Sequence, residues 1–390
     1  MQEPLRRLAA HWGLALAAGS VLAFVVAAIG GIAARSVGAE SVLTGDPFLY
    51  PERIAQIAAG HLPYVDATME HLPLAIVPMA LAFAVSSASG MSPAVTFAGV
   101  SVGMLALGGW AVDRAGRSLD HDAAVGRWLV LVLPLLPLVL FRNDIVAMVA
   151  AAIALWGFLA DRTRAGFGAT LIGIFAKGWP VVFALAEWWK GRRARAAGLV
   201  AVTVGLWVAL MLTPGFRAGR SFSGIHIETV AGSLILLWRH LAGQPLALAT
   251  HARAGYVEVG PWAIALEAAI GAVVAAAALG AVRRPFRIGG VPAMLATATV
   301  AVLLGSPLLS AQFLLWPTPL LAFSDDRRVL RLWVPMSALT IGYLMFWSPA
   351  SPWWAIAVVV RNLLLVAVAV VTVAWLRRQT DSTSRRNLPV

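Results

Sequence analysis

Gly173-Ile174-Phe175-Ala176-Lys177-Gly178-Trp179-Pro180 sits in the middle of an apolar run from residue 166 to residue 189. Read as one membrane span, that run buries an unpaired ammonium at the bilayer centre, at about 2.5 kcal/mol or more. Pro180 also lacks the N–H that a continuous helix needs. Both facts favour two short helices with a break at Lys177, which brings the lysine to a membrane surface. The choice sets the direction of the chain on either side of it.

Working outward, apolar runs recur along almost all of the 390 residues, 60% of which are hydrophobic and only 12% charged. No soluble domain hides that much apolar surface, and no alternating barrel strands occur. The fold class is therefore all-α, a polytopic membrane bundle. The expected spans are 12–34, 93–112, 128–141, 144–160, two short helices within 166–189, 197–213, 261–282, 289–305, 310–323, 331–347 and 353–376. That is about twelve segments, some short or broken, in one membrane-embedded domain over 1–390. The stretch 73–88 is apolar but short, and reads as an interfacial or re-entrant segment. The first span reads as a retained signal anchor.

The net charge of +12 fits the concentration of Lys and Arg in cytoplasmic loops, not nucleic-acid binding. With Arg6 and Arg7 before the first span, both termini fall in the cytoplasm, the second as a tail over 377–390. Arg114, Arg117, Arg162, Arg164 and the bases of 190–195 then share the cytoplasmic side. Two large outer loops result, 35–73 and 214–259. The chain has no cysteine, which excludes disulfides, thiolate nucleophiles and Cys-held metals. No Walker loop, GxSxG elbow, HExxH or dinucleotide fingerprint occurs in a usable context.

The same topology sends a set of scarce polar residues to the outer face: Asp46, Tyr50, Tyr64, Asp66, Glu70, His71, Arg142, Asn143, Asp144, Lys177, Arg220, His226, Glu228 and Gln312. Each has a plainer reading. Asp46 before Pro47 is a natural turn starter, and Pro51-Glu52-Arg53 opens a short interfacial helix that Gly60 can end. Asn143 suits a helix N-cap. Lys177 interrupts an apolar run in a chain with one other lysine, Lys190; its plainer reading is a snorkelling side chain, its functional one a phosphate ligand. His226 and Glu228 lack a third neighbour for a metal site. Glu187 and Glu267 read as structural groups near cytoplasmic span ends. Arg361 falls inside a span.

Four stretches resemble the GT-C superfamily of integral-membrane glycosyltransferases, and within it bacterial polyprenyl-phosphate-mannose-dependent mannosyltransferases. They are Gly45-Asp46-Pro47-Phe48-Leu49-Tyr50 with its continuation to Leu74, Arg142-Asn143-Asp144, the break Gly173–Pro180, and Ser306-Pro307-Leu308-Leu309-Ser310-Ala311-Gln312-Phe313-Leu314-Leu315-Trp316. Ala311 stands where the family often has Pro, and His71-Leu72 where it has an aromatic-Pro pair. The resemblance implies transfer of a sugar, mannose in first place, from a polyprenyl-phosphate donor to a lipid or glycan hydroxyl on the non-cytoplasmic face of the cell membrane. It implies Asp46 as base, Lys177 and Arg220 at the donor phosphate, and the other outer residues at the substrates. No redox cofactor is expected, and a divalent cation is compatible but not demanded. The rival classes are a lipid or solute transporter or flippase, which would show two related halves, and a non-catalytic scaffold.

Overall fold

The computed structural model describes residues 45–220, 224–246, 248–251, 254–257, 261–282, 288–346 and 348–384. The expected first span, 12–34, and the last residues of the tail lie outside them. The chain divides into two compact units, residues 1–221 and 222–390.

The first unit carries ten helices among its described residues: α1 (Gly45–Ala58), α2 (Ile76–Ser89), α3 (Pro93–Arg117), α4 (Ala124–Val132), α5 (Leu136–Phe141), α6 (Asp144–Leu159), α7 (Thr163–Lys177), α8 (Ala184–Trp189), α9 (Arg193–Met211) and α10 (Pro214–Arg220). Helix α6 is the core element. It is rich in Ala, and almost every side chain along it is buried. Small residues let neighbouring helices approach closely. A Cβ placed on Gly157 would stand 2.6 Å from the Cα of Gly166 on α7, so α6 and α7 touch backbone to backbone. Gly157→Val is expected to destabilise the protein by about 1–3 kcal/mol or more. A thermal melt in detergent reads this as a clear fall in Tm, whereas Gly168→Val, where a Cβ meets nothing within 4 Å, should leave it near wild type.

The break at Lys177 is present. Helix α7 ends there, Gly178 takes φ +81°, and a 3₁₀ turn over Trp179–Phe183 leads into α8. Elsewhere the structure corrects the expected boundaries. Helix α1 already covers Gly45–Tyr50 ahead of the expected start at Pro51, and Pro51 lies inside it. Asp46 therefore belongs to a helix and not to a preceding turn. The run 128–141 is not one helix: a 3₁₀ turn over Leu133–Leu135 separates α4 from α5, at the donors that Pro134 and Pro137 lack.

The second unit carries β1 (Ile225–His226), α11 (Val230–Leu241), β2 (Leu248–His251), β3 (Ala254–Val257), α12 (Pro261–Val282), α13 (Val291–Leu304), α14 (Thr318–Leu321), α15 (Arg327–Phe346) and α16 (Pro352–Ser384). The expected loop 214–259 thus holds helices and a small antiparallel sheet of order β1-β3-β2, with Ile225 opposite Val257 and His251 opposite Ala254. The expected span 310–323 is instead a 3₁₀ turn over Ala311–Leu315 and the one-turn α14. Pro317 and Pro319 prevent a continuous helix across it.

The protein is thus an all-α bundle with one minor sheet. Six helical segments among the described residues are long and apolar enough to cross a membrane: Pro93–Arg117, Ala124–Phe141, Arg193–Met211, Pro261–Gly280, Arg327–Phe346 and Pro352–Thr380. The outward faces of α9 and α12 are apolar, with Val204, Val208, Val273 and Leu279 exposed. That pattern suits lipid and not water.

Candidate functional site

In the first unit the site is built on the antiparallel pair α6 and α7. The chain leaves α5 at Phe141, extends at Arg142 (φ −126°, ψ 137°), and starts α6 at Asp144. A carboxylate at a helix N-terminus and an ammonium at a helix C-terminus each suit the local dipole. Asp144 is the first residue of α6 and Lys177 the last of α7, and Lys177 Nζ lies 3.1 Å from Asp144 Oδ2. The Asp144 side chain is 2% exposed and that of Lys177 is 16% exposed. The pair is therefore buried on the acid side and reaches outward on the basic side.

Asn143 occupies the N-cap position of α6 but makes no side-chain cap. It is buried, and neither amide atom meets a hydrogen-bond partner in the described protein. A buried polar group left so costs about 1–3 kcal/mol. The capping role predicted for Asn143 is therefore not what holds it here. Its backbone N–H donates to the Tyr50 hydroxyl at 3.3 Å.

Tyr50 brings α1 to this place. Its buried ring packs on Phe97 at 4.9 Å and edge-on to His71 at 5.5 Å. His71 Nε2 lies 3.9 Å from Glu70 Oε1, and Arg53 Nε donates to Glu70 Oε2 at 3.3 Å. Tyr64 donates its hydroxyl hydrogen to the His71 carbonyl at 2.8 Å. Burial, and then the Glu70 charge, push the Tyr64 phenol well above its usual range, so it stays a donor. Its φ of +70° is held by a hydrogen bond to Ala67 and one from Gly215.

The structure thus brings together Tyr50, Glu70, His71, Asn143, Asp144 and Lys177, with Arg142 beside Asn143 in sequence and buried. Asp66 stands apart: it is exposed and 3.6 Å from the His61 ring. Asp46 lies on α1 four residues before Tyr50, about 6 Å along the axis. Arg220 ends α10. The side chains of Asp46 and Arg220 lie outside the described residues.

In the second unit, His226 and Glu228 serve a packed polar network. Arg361 Nη2 donates to Glu228 Oε2 at 3.0 Å and to the Glu228 carbonyl at 3.1 Å, and Tyr343 donates to Glu228 Oε2 at 3.0 Å. Arg361 is fully buried. Asn362 Nδ2 reaches the carbonyls of Glu228 and Thr229 and the Ser233 hydroxyl. Glu267 accepts from the N–H groups of Val230 and Ala231 at 2.8 Å each, while Thr229 caps Gly232. Glu267 therefore holds the first turn of α11, a structural role. Burial lowers the His226 pKa below its ordinary value, against the opposing pull of Glu228. Gln312 accepts from the Ser310 hydroxyl at 2.9 Å.

Sequence reasoning missed Arg53, Tyr343 and Asn362, and left Arg361 without a partner. The signal was there: a lone arginine inside a span calls for a carboxylate. Among the described residues no three His, Asp or Glu side chains gather as a metal-holding group. Comparison with protein-family models, with curated proteins and with solved structures finds no match for this chain.

Proposed function

We propose that the protein is a polyprenyl-phosphate-sugar-dependent glycosyltransferase of GT-C type. In this reading about twelve segments cross the cell membrane and the reaction takes place on the non-cytoplasmic face. The observation that carries it is the docking of α1, through Tyr50, onto Asn143 beside the Lys177–Asp144 pair. The helix that bears Asp46 is thereby docked on the residue before Asp144, the ion partner of Lys177.

Asp46 takes the proton of an acceptor hydroxyl as its oxygen bonds to the anomeric carbon. The bond from that carbon to the donor phosphate oxygen breaks, and its electron pair leaves with the phosphate. Direct attack inverts the anomeric centre. Lys177, on its outward side, offsets the charge developing on the leaving phosphate, with Arg220 as a second cation. Asp144 holds Lys177 in place. Tyr50, Glu70, His71 and Asn143 shape the sugar site. Mannose is the first choice of sugar, on resemblance alone. Glu228 and His226 support the second unit and leave the substrate set.

The test separates donor binding from folding. Lys177→Met strands a buried carboxylate, so Asp144→Asn/Lys177→Met is the informative variant. It is expected to keep a near wild-type melt and to raise the apparent KM for the donor about 10–100-fold, the loss of one charge-assisted contact. An unchanged donor KM in the folded double variant removes Lys177 from the phosphate site.

A further inference from the structure

The end of the first unit remote from Asp144 and Lys177 has a separate character. Helix α6 spans 16 residues, about 24 Å, so its two ends lie nearly a hydrocarbon thickness apart. At the far end Trp110 on α3 meets Trp156 on α6 edge to face at 4.9 Å. Arg114 lies over the Trp110 ring at 5.8 Å and Arg162 over the Trp156 ring at 5.1 Å. An Arg–Trp–Trp–Arg ladder therefore ties three helix ends together. On the neighbouring turn, Arg193 lies over Trp188 at 5.4 Å, and that indole is 58% exposed.

The carboxylates here are already engaged. Asp113 pairs with Arg117 at 2.9 Å, and Asp161 with both Lys190 and Arg192 at 3.1 Å. Those two hydrogen bonds, Lys190 first, hold the Asp161 carboxyl below its usual range. The exposed Arg114, Arg162, Arg164, Arg193 and Arg195 meet no carboxylate among the described residues. They outnumber Asp120 and Asp122 on the turn after α3.

We infer that this face is a binding site for the phosphate of an anionic phospholipid. Two features point to a lipid and not to a soluble anion, and a third to phosphate. The cations sit at the ends of apolar helices, where headgroups lie. Exposed Trp188 beside Arg193 presents an amphipathic ring of the kind that settles at the membrane–water boundary. Guanidinium groups also pair with phosphate oxygens in a two-pronged way, and Trp faces hold them in position. Charge placement in a cytoplasmic loop requires none of this ordering. A headgroup that is negative overall is preferred, because the site carries an excess of positive charge.

Titration of short-chain phosphatidylglycerol or phosphatidylcholine into the detergent-purified protein, read by tryptophan fluorescence, tests the site. The wild type is expected to bind phosphatidylglycerol more tightly. Arg114→Gln/Arg162→Gln/Arg193→Gln should weaken that binding on the order of a hundredfold, from about fivefold per cation. Its melt should fall only slightly, since all three side chains are exposed and cation–π contacts at exposed sites are weak. Arg327→Gln/Arg331→Gln/Arg377→Gln, an equal loss of exposed charge in the second unit, should leave binding unchanged. Equal binding of the two lipids overturns the proposal, and so does equal weakening by the two triple variants. Inorganic phosphate that displaces phosphatidylglycerol at millimolar concentration also overturns it, because the site is then one for a free anion.

Discussion

Asp46→Asn is expected to yield a protein that inserts and melts like wild type but, in the proposed reaction, transfers sugar about 10²–10⁴-fold more slowly, the usual weight of a general base. The substitution keeps the shape and hydrogen-bonding size of the side chain and removes only its basicity. Asp46 lies on α1, and Asn and Asp have nearly equal helix propensity. The stability loss is therefore small beside the loss of rate. Donor KM should change little, because in the proposed mechanism Asp46 acts on the acceptor. A variant that transfers at near wild-type rate removes Asp46 from the reaction.

Arg361→Met is the most destabilising single change expected in the second unit. It leaves Glu228 buried with its ion partner gone, and breaking such a pair costs about 3–5 kcal/mol. Two further facts favour the upper part of that range. Arg361 also donates to the Glu228 carbonyl, and Tyr343 alone is left to donate to Oε2. Glu228→Gln/Arg361→Met removes both charges and should recover most of the loss. Thermal unfolding in detergent reads the pattern as a large fall in Tm for the single variant and a small one for the double. If the single and double variants melt together, the pair is not what holds α16 to the segment before α11.

The all-helical class was legible because apolar length alone demands it. The break at Lys177 was legible because a charge and a proline within four residues conflict with a continuous span on two separate grounds. Local rules failed where tertiary partners decide. Glu228 and Arg361 lie 133 residues apart, and nothing near Glu228 distinguishes an exposed loop acid from one that receives a buried arginine. Asn143 illustrates the converse. Its sequence position marks it as a helix cap and it stands at the N-cap, yet its amide does not cap. The 310–323 run was misread because apolar composition outweighed the prolines at 317 and 319. In the 214–259 segment, alternation too short to register hid the β2–β3 hairpin.

In the proposed reading the chain transfers a sugar and does not move one. The direct measurement uses the purified protein in sealed proteoliposomes with polyprenyl-phosphate mannose labelled in the sugar and an acceptor lipid. Label is expected to appear covalently on the acceptor, in step with release of polyprenyl phosphate, and far more slowly with Asp46→Asn. Label that reaches the opposite leaflet still attached to its polyprenyl phosphate, with no glycosylated acceptor, would contradict it.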